Sequence, residues 1–401
     1  MNSWLNVIGI GEDGVLGLSE DARKVLNTCD IIIGGDRHHK LSEEITAERL
    51  TWPSPFNALI EKLISLKGKR VVILATGDPL WFSIGARLNR KFSAEEITFH
   101  PQLSAFQLAA VRMKWSMADT EMLTAHGRPV EQILSFIQPN QKMIILTSGA
   151  ETPSFIAKLL NERGFGKSEM TVMADMGSKE EKRFYALAAE WSHTVPKFNT
   201  LAVNCICNPR TQITGKTAGL DDSLYQHDGN ITKKEVRAVT ISKLMPMRGA
   251  LLWDVGLGCG SVAIEWMRAC YDCRAIGIEP KKKRSELAMK NALALGAPKL
   301  SIIEGSAPEA LDKLERPDAI FIGGGFSQST FDICWKELKP YGRIVVNAVT
   351  LETEMELLKL KETQGGELCR ISIQRSEAIG NRTGWRPLMQ VTQWSKIKND
   401  W

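Results

Sequence analysis

The residues most able to do chemistry lie at 251–266, LLWDVGLGCGSVAIEW. An apolar run, 251–255, is followed by Gly256, Gly258 and Gly260 and then by a segment with helical patterning. That order predicts a buried strand, a tight turn and a helix. Glycines in such a turn accept positive φ and let a ligand come close to the backbone. The helix behind them aims its free N–H groups into the same turn. One strand–helix unit later, RAIGIE at 274–279 is mostly apolar and ends in Glu279. In a doubly wound sheet an acid at that place accepts the hydroxyls of a ribose. A nucleoside-bearing ligand fits, as a dinucleotide or as S-adenosylmethionine.

The spacing favours the second. A dinucleotide turn, G-x-G-x-x-G, would put its third glycine at position 261, which is Ser261; the glycine stands one residue early, at Gly260. Asp254, two residues before Gly256, adds negative charge beside the turn. That suits a sulfonium and an amino acid's ammonium better than a pyrophosphate.

Elements able to position these residues require more than one domain. The chain has 401 residues, which suggests two. Its net charge of +5, from 51 basic and 46 acidic residues, comes without a long basic run. Nucleic acid is therefore not an indicated partner, whereas a polyanionic small substrate is compatible. The KKKR at 281–284 reads as a solvated helix face. No apolar stretch reaches membrane-spanning length, and no basic-then-apolar leader opens the chain, so a cytoplasmic protein is expected. Eight cysteines without regular spacing read as reduced thiols. Cys270 and Cys273 form one C-x-x-C with no second pair, so no metal site is expected.

In chain order, residues 5–10 predict a first buried strand. Gly9, Gly11 and Gly14 then make a formal G-x-G-x-x-G. Glu12 and Asp13 lie inside it and would repel a pyrophosphate, and the next helix, 19–27 with Ser19 as its cap, starts late. Strands follow at 30–34 and 69–75. The latter runs into Thr76-Gly77-Asp78-Pro79, which holds a carboxylate at the strand's C-terminal edge, where open α/β sheets bind ligands. A strand at 97–100 leads through Pro101 to Ser104-Ala105 and a helix at 105–111. His126-Gly127-Arg128-Pro129 sets an imidazole beside a guanidinium in a loop. Strands at 142–147, 169–174 and 200–207, a helix at 153–163 and a charged stretch at 178–183 make a second half. Residues 208–230 are polar and mark the domain boundary. Beyond them come a helix at 233–244 and seven strands, at 251–255, 275–279, 300–304, 319–322, 343–349, 368–374 and 388–394. The last two flank an apparent hairpin around Gly380 and Gly384. Alternation up to the fifth strand predicts a mostly parallel sheet with helices on both faces.

These segments carry a resemblance. The first 208 residues resemble the tetrapyrrole methylase family through the Gly9–Gly14 glycines, Thr76-Gly77-Asp78-Pro79 and the segment from Pro101 to Ser104. The His126-Gly127-Arg128-Pro129 loop narrows the likeness to the branch that methylates precorrin-6Y at C5. The remainder resembles the C15 methylase and decarboxylase through four motifs: HDGNITK at 227–233, WDVG at 253–256, FIGGG at 321–325 and NAVTLE at 347–352. Together they resemble the fused C5,15-methyltransferase (decarboxylating) family of cobalamin synthesis. Two positions depart from it. Gln102 and Leu103 replace a glycine and serines after Pro101, and Cys259 replaces a small residue in the second glycine turn.

The resemblance implies a two-lobed tetrapyrrole methylase fold over 1–208, a linker at 209–230, and a seven-stranded Rossmann-like methyltransferase fold over 231–401. It implies one S-adenosylmethionine per domain. Gly9, Gly11, Asp78, Ser104 and Ala105 would hold the first. Thr232, Gly256, Gly258, Gly260, Glu279 and Ala307 would hold the second. The substrate would be a polyanionic tetrapyrrole, methylated at C5 in the first domain and at C15 in the second. The second would also remove the C12 acetate as carbon dioxide, giving precorrin-8. His126, Arg128, His227, Arg237, Arg382 and Arg386 are candidates for its carboxylates, since arginine's fork suits them; each arginine could equally be a surface or structural residue. A homo-oligomer is expected. No side chain is singled out as a catalytic base. Methyl transfer to an enamine-like carbon asks for alignment and exclusion of water. Two alternatives are a first domain that only binds substrate and a second domain that is an NAD dehydrogenase; Asp254 and Ser261 disfavour the latter.

Overall fold

The computed structural model describes residues 3–53 and 58–399. The chain divides into two units. The first takes the residues up to Val130 and Gln138–Gln212, the second Glu131–Ile137 and the residues from Ile213 onward. No helix among the described residues is long and apolar enough to cross a membrane.

The first unit holds two five-stranded sheets. β1 (Leu5–Ile10), β2 (Ile31–Gly34), β3 (Glu48–Thr51), β4 (Val71–Thr76) and β5 (Ile97–His100) are all parallel, in the order β3-β2-β4-β1-β5. Every residue of β1 is buried. A parallel sheet covered on both faces demands such a continuous apolar strand. Val7, Ile33 and Ile73 feed one core, and Ile8, Ile32 and Leu74 the other. The second sheet is mixed. β6 (Thr120–Thr124), β7 (Lys142–Leu146), β8 (Glu169–Ala174), β9 (Lys182–Leu187) and β10 (Asn199–Asn204) run in the order β6-β7-β10-β8-β9, with only β6 and β7 parallel. The helix Ala105–Met113, capped by Ser104, seats Phe106 and Ala109 against Ile144, Met173 and Ala202 of that sheet. β3, β6 and β9 were not expected from the sequence. β9 begins inside the charged stretch at 178–183.

The second unit is one seven-stranded sheet. β11 (Leu251–Val255), β12 (Arg274–Glu279), β13 (Ser301–Glu304), β14 (Ala319–Ile322) and β15 (Arg343–Ala348) are parallel. β16 (Glu367–Ile371) and β19 (Val391–Ile397) close it in the order β13-β12-β11-β14-β15-β19-β16, with β19 antiparallel to both neighbours. The expected hairpin exists as β17 (Gln374–Ile379) and β18 (Arg382–Pro387), a separate two-stranded ribbon inserted between β16 and β19. Trp253, Ile320 and Val346 pack on one face of the sheet, and Leu252, Phe321 and Val345 on the other.

The polar segment before this sheet is packed rather than loose. Leu220 and Tyr225 are buried in the second unit's core. Glu265, on the helix Ser261–Ala269, accepts hydrogen bonds from the N–H groups of Gly219 (2.7 Å) and Leu220 (3.0 Å) and from the Tyr225 hydroxyl (3.1 Å). Its fourth donor is Nε of Arg237, at 2.6 Å, on the helix Lys234–Leu244. Arg237 is fully buried, also pairs with Asp222 at 3.1 Å, and donates to the carbonyls of Thr232 and Leu220. Removing one member of such a buried pair leaves the other charge unpaired. Arg237→Leu should therefore cost the second unit about 3–5 kcal/mol. A urea midpoint equal to that of the wild type would contradict this.

Candidate functional site

The C-terminal ends of β11, β12, β14 and β15 open on a cavity of about 700 Å³. That is ample for a nucleoside-sized ligand. Gly256 has φ +78°, and a Cβ there would stand 2.7 Å from the backbone nitrogen of Gly324. The turn after β11 and the turn after β14 thus meet backbone to backbone. Gly258 has φ +58°, and a Cβ there would find nothing nearer than 4.0 Å; it faces the cavity. Gly260 begins the helix Ser261–Ala269.

Two acids lie under this turn. Asp254, 1% exposed, is next to last in β11. Its Oδ2 accepts the Ala263 N–H at 3.0 Å, while its Oδ1 is buried without a partner. Burial lifts its pKa to about 8; the Ala263 N–H opposes the rise and the charge of Glu279 adds to it. Glu279 closes β12 and is 2% exposed. Its carboxylate accepts the N–H groups of Gly258 at 2.9 Å and Lys281 at 3.0 Å. Each oxygen keeps a lone pair for another donor. Thr232 and Ala307 line the same cavity, so the six candidates of the second domain do come together, except that Gly260 sits just behind the wall.

The cavity's cations are not those expected. Lys233, Lys281 and Arg284 line it. Arg237 does not: its guanidinium is fully buried in the Glu265 network, with four of its five N–H groups engaged there. His227 is exposed outside the cavity, and its Nδ1 accepts the Gly229 N–H at 3.1 Å. Arg382 and Arg386 are exposed on the ribbon, where Arg386 pairs with Glu377 at 2.9 Å. Only the end of that strand reaches the cavity, through Pro387, Leu388 and Met389. A sequence signal for two of these cavity-lining cations, Lys281 and Arg284, did exist. The KKKR segment crowds the start of the helix Lys282–Ala294, whose first turn holds no acid. Cations at a helix N-terminus oppose its dipole. That arrangement is unfavourable unless an anion joins it, and one does in part: Asp228 pairs with Arg284 at 2.7 Å.

The first unit makes a similar glycine contact at the same edge of its parallel sheet. A Cβ on Gly9 would stand 2.0 Å from the carbonyl oxygen of Gly77, so the β1 and β4 ends also need a glycine contact. Gln102, at the departure from the family pattern, donates through Nε2 to the Gly17 carbonyl at 2.7 Å and accepts the Leu103 N–H at 2.9 Å. It ties the loop after β1 to the loop after β5. Gly11 stands in the first of these loops. Asp78 accepts the Leu80 N–H at 2.7 Å. The Ser104 side chain caps its own helix, with Ala105 as first helical residue. Arg128 lies 5.3 Å from the Phe82 ring centre, and His126 is exposed beside it. Sequence reasoning missed a cluster here. Arg37 pairs with Glu12, donates to the Thr76 hydroxyl at 3.1 Å and covers the Phe198 ring at 4.1 Å. His38 reaches the same hydroxyl at 3.0 Å, and burial pushes its pKa down to about 4.

Comparison with known proteins follows the two units. A family described as tetrapyrrole (corrin/porphyrin) methylases matches residues 5–191, and one described as a precorrin methyltransferase domain matches 223–398. The precorrin-6Y C5,15-methyltransferase (decarboxylating) of Sinorhizobium sp is 41% identical over 401 residues, covering 99% of this chain and 97% of that one. The cobalt-precorrin-7 C5-methyltransferase of Salmonella typhimurium is 29% identical over 180 residues, 44% of this chain and 88% of that one. A probable cobalt-precorrin-6B C15-methyltransferase (decarboxylating) of Saccharolobus solfataricus is 34% identical over 154 residues, 37% of this chain and 77% of that one.

The Asp254 carboxyl makes a prediction independent of any ligand. Its folded pKa of about 8 stands above its ordinary 3.8. The folded protein therefore holds a proton that the unfolded chain releases over that interval, and stability from this group is lost as pH rises through it. Asp254→Asn should gain stability relative to the wild type between about pH 5 and pH 9. Urea midpoints of both proteins across that range would reveal it; a constant difference would mean that Asp254 ionises normally.

Proposed function

The chain belongs to the precorrin-6Y C5,15-methyltransferase (decarboxylating) family, and from that premise we propose that it adds methyl groups at C5 from its first unit and at C15 from its second. The second unit also releases the C12 acetate as carbon dioxide. Likeness over nearly the whole length to a relative named for both reactions supports their union here. Relatives named for one reaction each match less than half of the chain, which supports a division of labour.

The observation that carries this reading is the floor of the second cavity. A fully buried carboxylate oxygen of Asp254 has no partner there, beside glycine backbone with open space before it. A buried polar atom of that kind calls for a donor or a cation. When bound, S-adenosylmethionine supplies an electrophilic methyl group on a cationic sulfur and carries an ammonium. Glu279 would hold its ribose hydroxyls. Asp254 would answer its positive charge, with Thr232, Gly256, Gly258, Gly260 and Ala307 around it. In the first unit Gly9, Gly11, Asp78, Ser104 and Ala105 would hold a second molecule. Lys233, Lys281 and Arg284 would take the substrate's carboxylates at the second site, and His126 and Arg128 at the first. Phe321 and Val236 keep water from the second site. No side-chain base is required, because the acceptor carbon of a reduced tetrapyrrole is already electron-rich.

Calorimetry on the full chain should count two S-adenosylmethionines. Glu279→Ala should weaken one of them by about 1–3 kcal/mol and leave the other unchanged. A single bound cofactor per chain would reduce the first unit to a substrate carrier. Gly258→Val should lose C15 methylation and carbon dioxide release, because its side chain enters the cavity. C5 methylation, assayed on material already methylated at C15, should persist; its loss in a folded variant would contradict the separation.

A further inference from the structure

Resting on that reading, we propose that Asn347 orients the reacting acetate in the second cavity, by giving it one neutral hydrogen bond from a different element than those that carry the cavity's cations. Asn347 lines the cavity from the end of β15. Its amide orientation follows from its neighbours. The Thr240 hydroxyl donates to the Val236 carbonyl at 2.9 Å, so it can only accept from other groups. Two amides approach it: Nδ2 of Asn347 at 3.2 Å and Nε2 of Gln393 at 3.0 Å. The second hydrogen of Gln393 Nε2 goes to Oδ1 of Asn347 at 2.8 Å. Thr240 and Gln393 are fully buried. Asn347 is thereby locked with Oδ1 inward and one Nδ2 hydrogen left without a protein partner.

Apolar side chains are plentiful in the lining that Asn347 belongs to: Val236, Phe321, Val349, Ile373 and Val391. The cavity's cations stand elsewhere. Lys281 and Arg284 follow β12, three strand spacings from β15, or about 14 Å. Lys233 precedes Thr240 by seven positions on one helix, about 10 Å along its axis. The ionised groups around this space are thus Lys233, Lys281, Glu279, the titrating Asp254 and Arg284, which is paired with Asp228 at 2.7 Å, while behind the wall Lys243 donates to the Cys369 thiol at 3.5 Å. Behind Gln393 lies the thiol of Cys369, at 4.0 Å.

This placement meets two opposed needs. The acetate must be ionised to lose carbon dioxide, yet burial favours its protonated form. A cation would keep it ionised but would hold the anion in place. One neutral N–H favours the ionised form modestly and fixes its direction. The bond between the acetate CH₂ carbon and its carboxyl carbon then breaks. Its electron pair passes into the conjugated ring and carbon dioxide leaves; once the product meets solvent, the pair returns to the CH₂ carbon, which takes a proton from water, leaving hydroxide, to become a methyl group.

The test compares the full-length wild type with Asn347→Leu and the isosteric Asn347→Asp, given precorrin-6Y and S-adenosylmethionine. Methylation at C15 and carbon dioxide release are followed separately across pH. The expected result is a C15-methylated product that keeps its acetate. In Asn347→Leu, carbon dioxide release at pH 7 should fall at least about tenfold, its pH profile moving alkaline by about one unit relative to the wild type. Asp254 titrates in both proteins, so only the displacement is read. Asn347→Asp, which keeps the shape and removes the donor, should also separate the two reactions, and it carries the test if the leucine variant does not fold. Carbon dioxide release with the wild-type rate and profile in a folded variant would overturn the inference. So would an equal fall in both reactions, which would mean that Asn347 merely holds the ring. A wild type that performs neither reaction would overturn the functional reading itself, and that failure is visible without any variant.

Discussion

Both units depend on one contact: a glycine at the C-terminal end of a central parallel strand, or just past it, must touch the turn after the neighbouring strand, with no side chain between. In the first unit Gly9 of β1 meets the Gly77 carbonyl beyond β4; in the second Gly256 beyond β11 meets Gly324 beyond β14. A single Cβ at either place would stand well inside contact distance of backbone. Backbone has nowhere to go there, because both strands are buried on both faces. In the second unit the contact lies at the floor of the cavity, where the Gly258 N–H is held by Glu279. It explains why two unrelated sheet topologies, one of five strands and one of seven, present glycine turns at the same edge. That edge is where ligands of open parallel sheets bind.

Above that floor the second cavity separates charge by strand. Acids stand at β11 and β12, cations follow β12 and precede the helix Lys234–Leu244, and the β15–β19 side is amide and hydrocarbon. On the proposed function, a polyanionic substrate would turn its outer carboxylates toward Lys233, Lys281 and Arg284 and its leading edge into the apolar side. The sheet order would enforce this, since the antiparallel β19 brings Gln393 beside Asn347. A parallel strand there would offer a different register and a different neighbour.

Much of this was legible in the sequence, for physical reasons that also mark the limit. β1, β11 and β12 are apolar runs ending in glycine or acid, and both faces of a parallel strand must be buried. β3 and β9 are edge strands, ERLT and KRFYAL, half exposed and rich in charge, so no apolar run announces them. Arg237 has the chemistry of a carboxylate ligand and a place beside the right motif. Its real partner, Glu265, lies on another helix and is brought to it only by folding. Asn347 opens the NAVTLE motif, but nothing in that motif announces a donor aimed at a ligand. Its role rests on which hydrogen its neighbours leave over, and that is a property of packing. Lys281 and Arg284 were readable in principle: four cations opening a helix oppose its dipole, which is a local conflict, and local conflicts tend to mark function.

Asp254 also reports on the medium in which the chemistry must run. Burial alone raises that carboxyl by several units, with a backbone N–H working against the rise. A carboxylate is therefore costly on this floor. For a permanent side chain the cost appears as a retained proton. For a substrate acetate held ionised in a similarly dry place, the same cost can be relieved by losing carbon dioxide, because the charge then leaves the carboxyl and spreads over a ring. Methyl transfer from a sulfonium gains from dryness in a different way, since water would compete as nucleophile and would loosen the alignment. One cavity can serve both reactions because neither needs a base and both need water kept out. Their separate demand is for direction, and the wall offers a separate polar group to each: the acids of β11 and β12 toward the methyl donor, the amide of β15 toward the carboxylate.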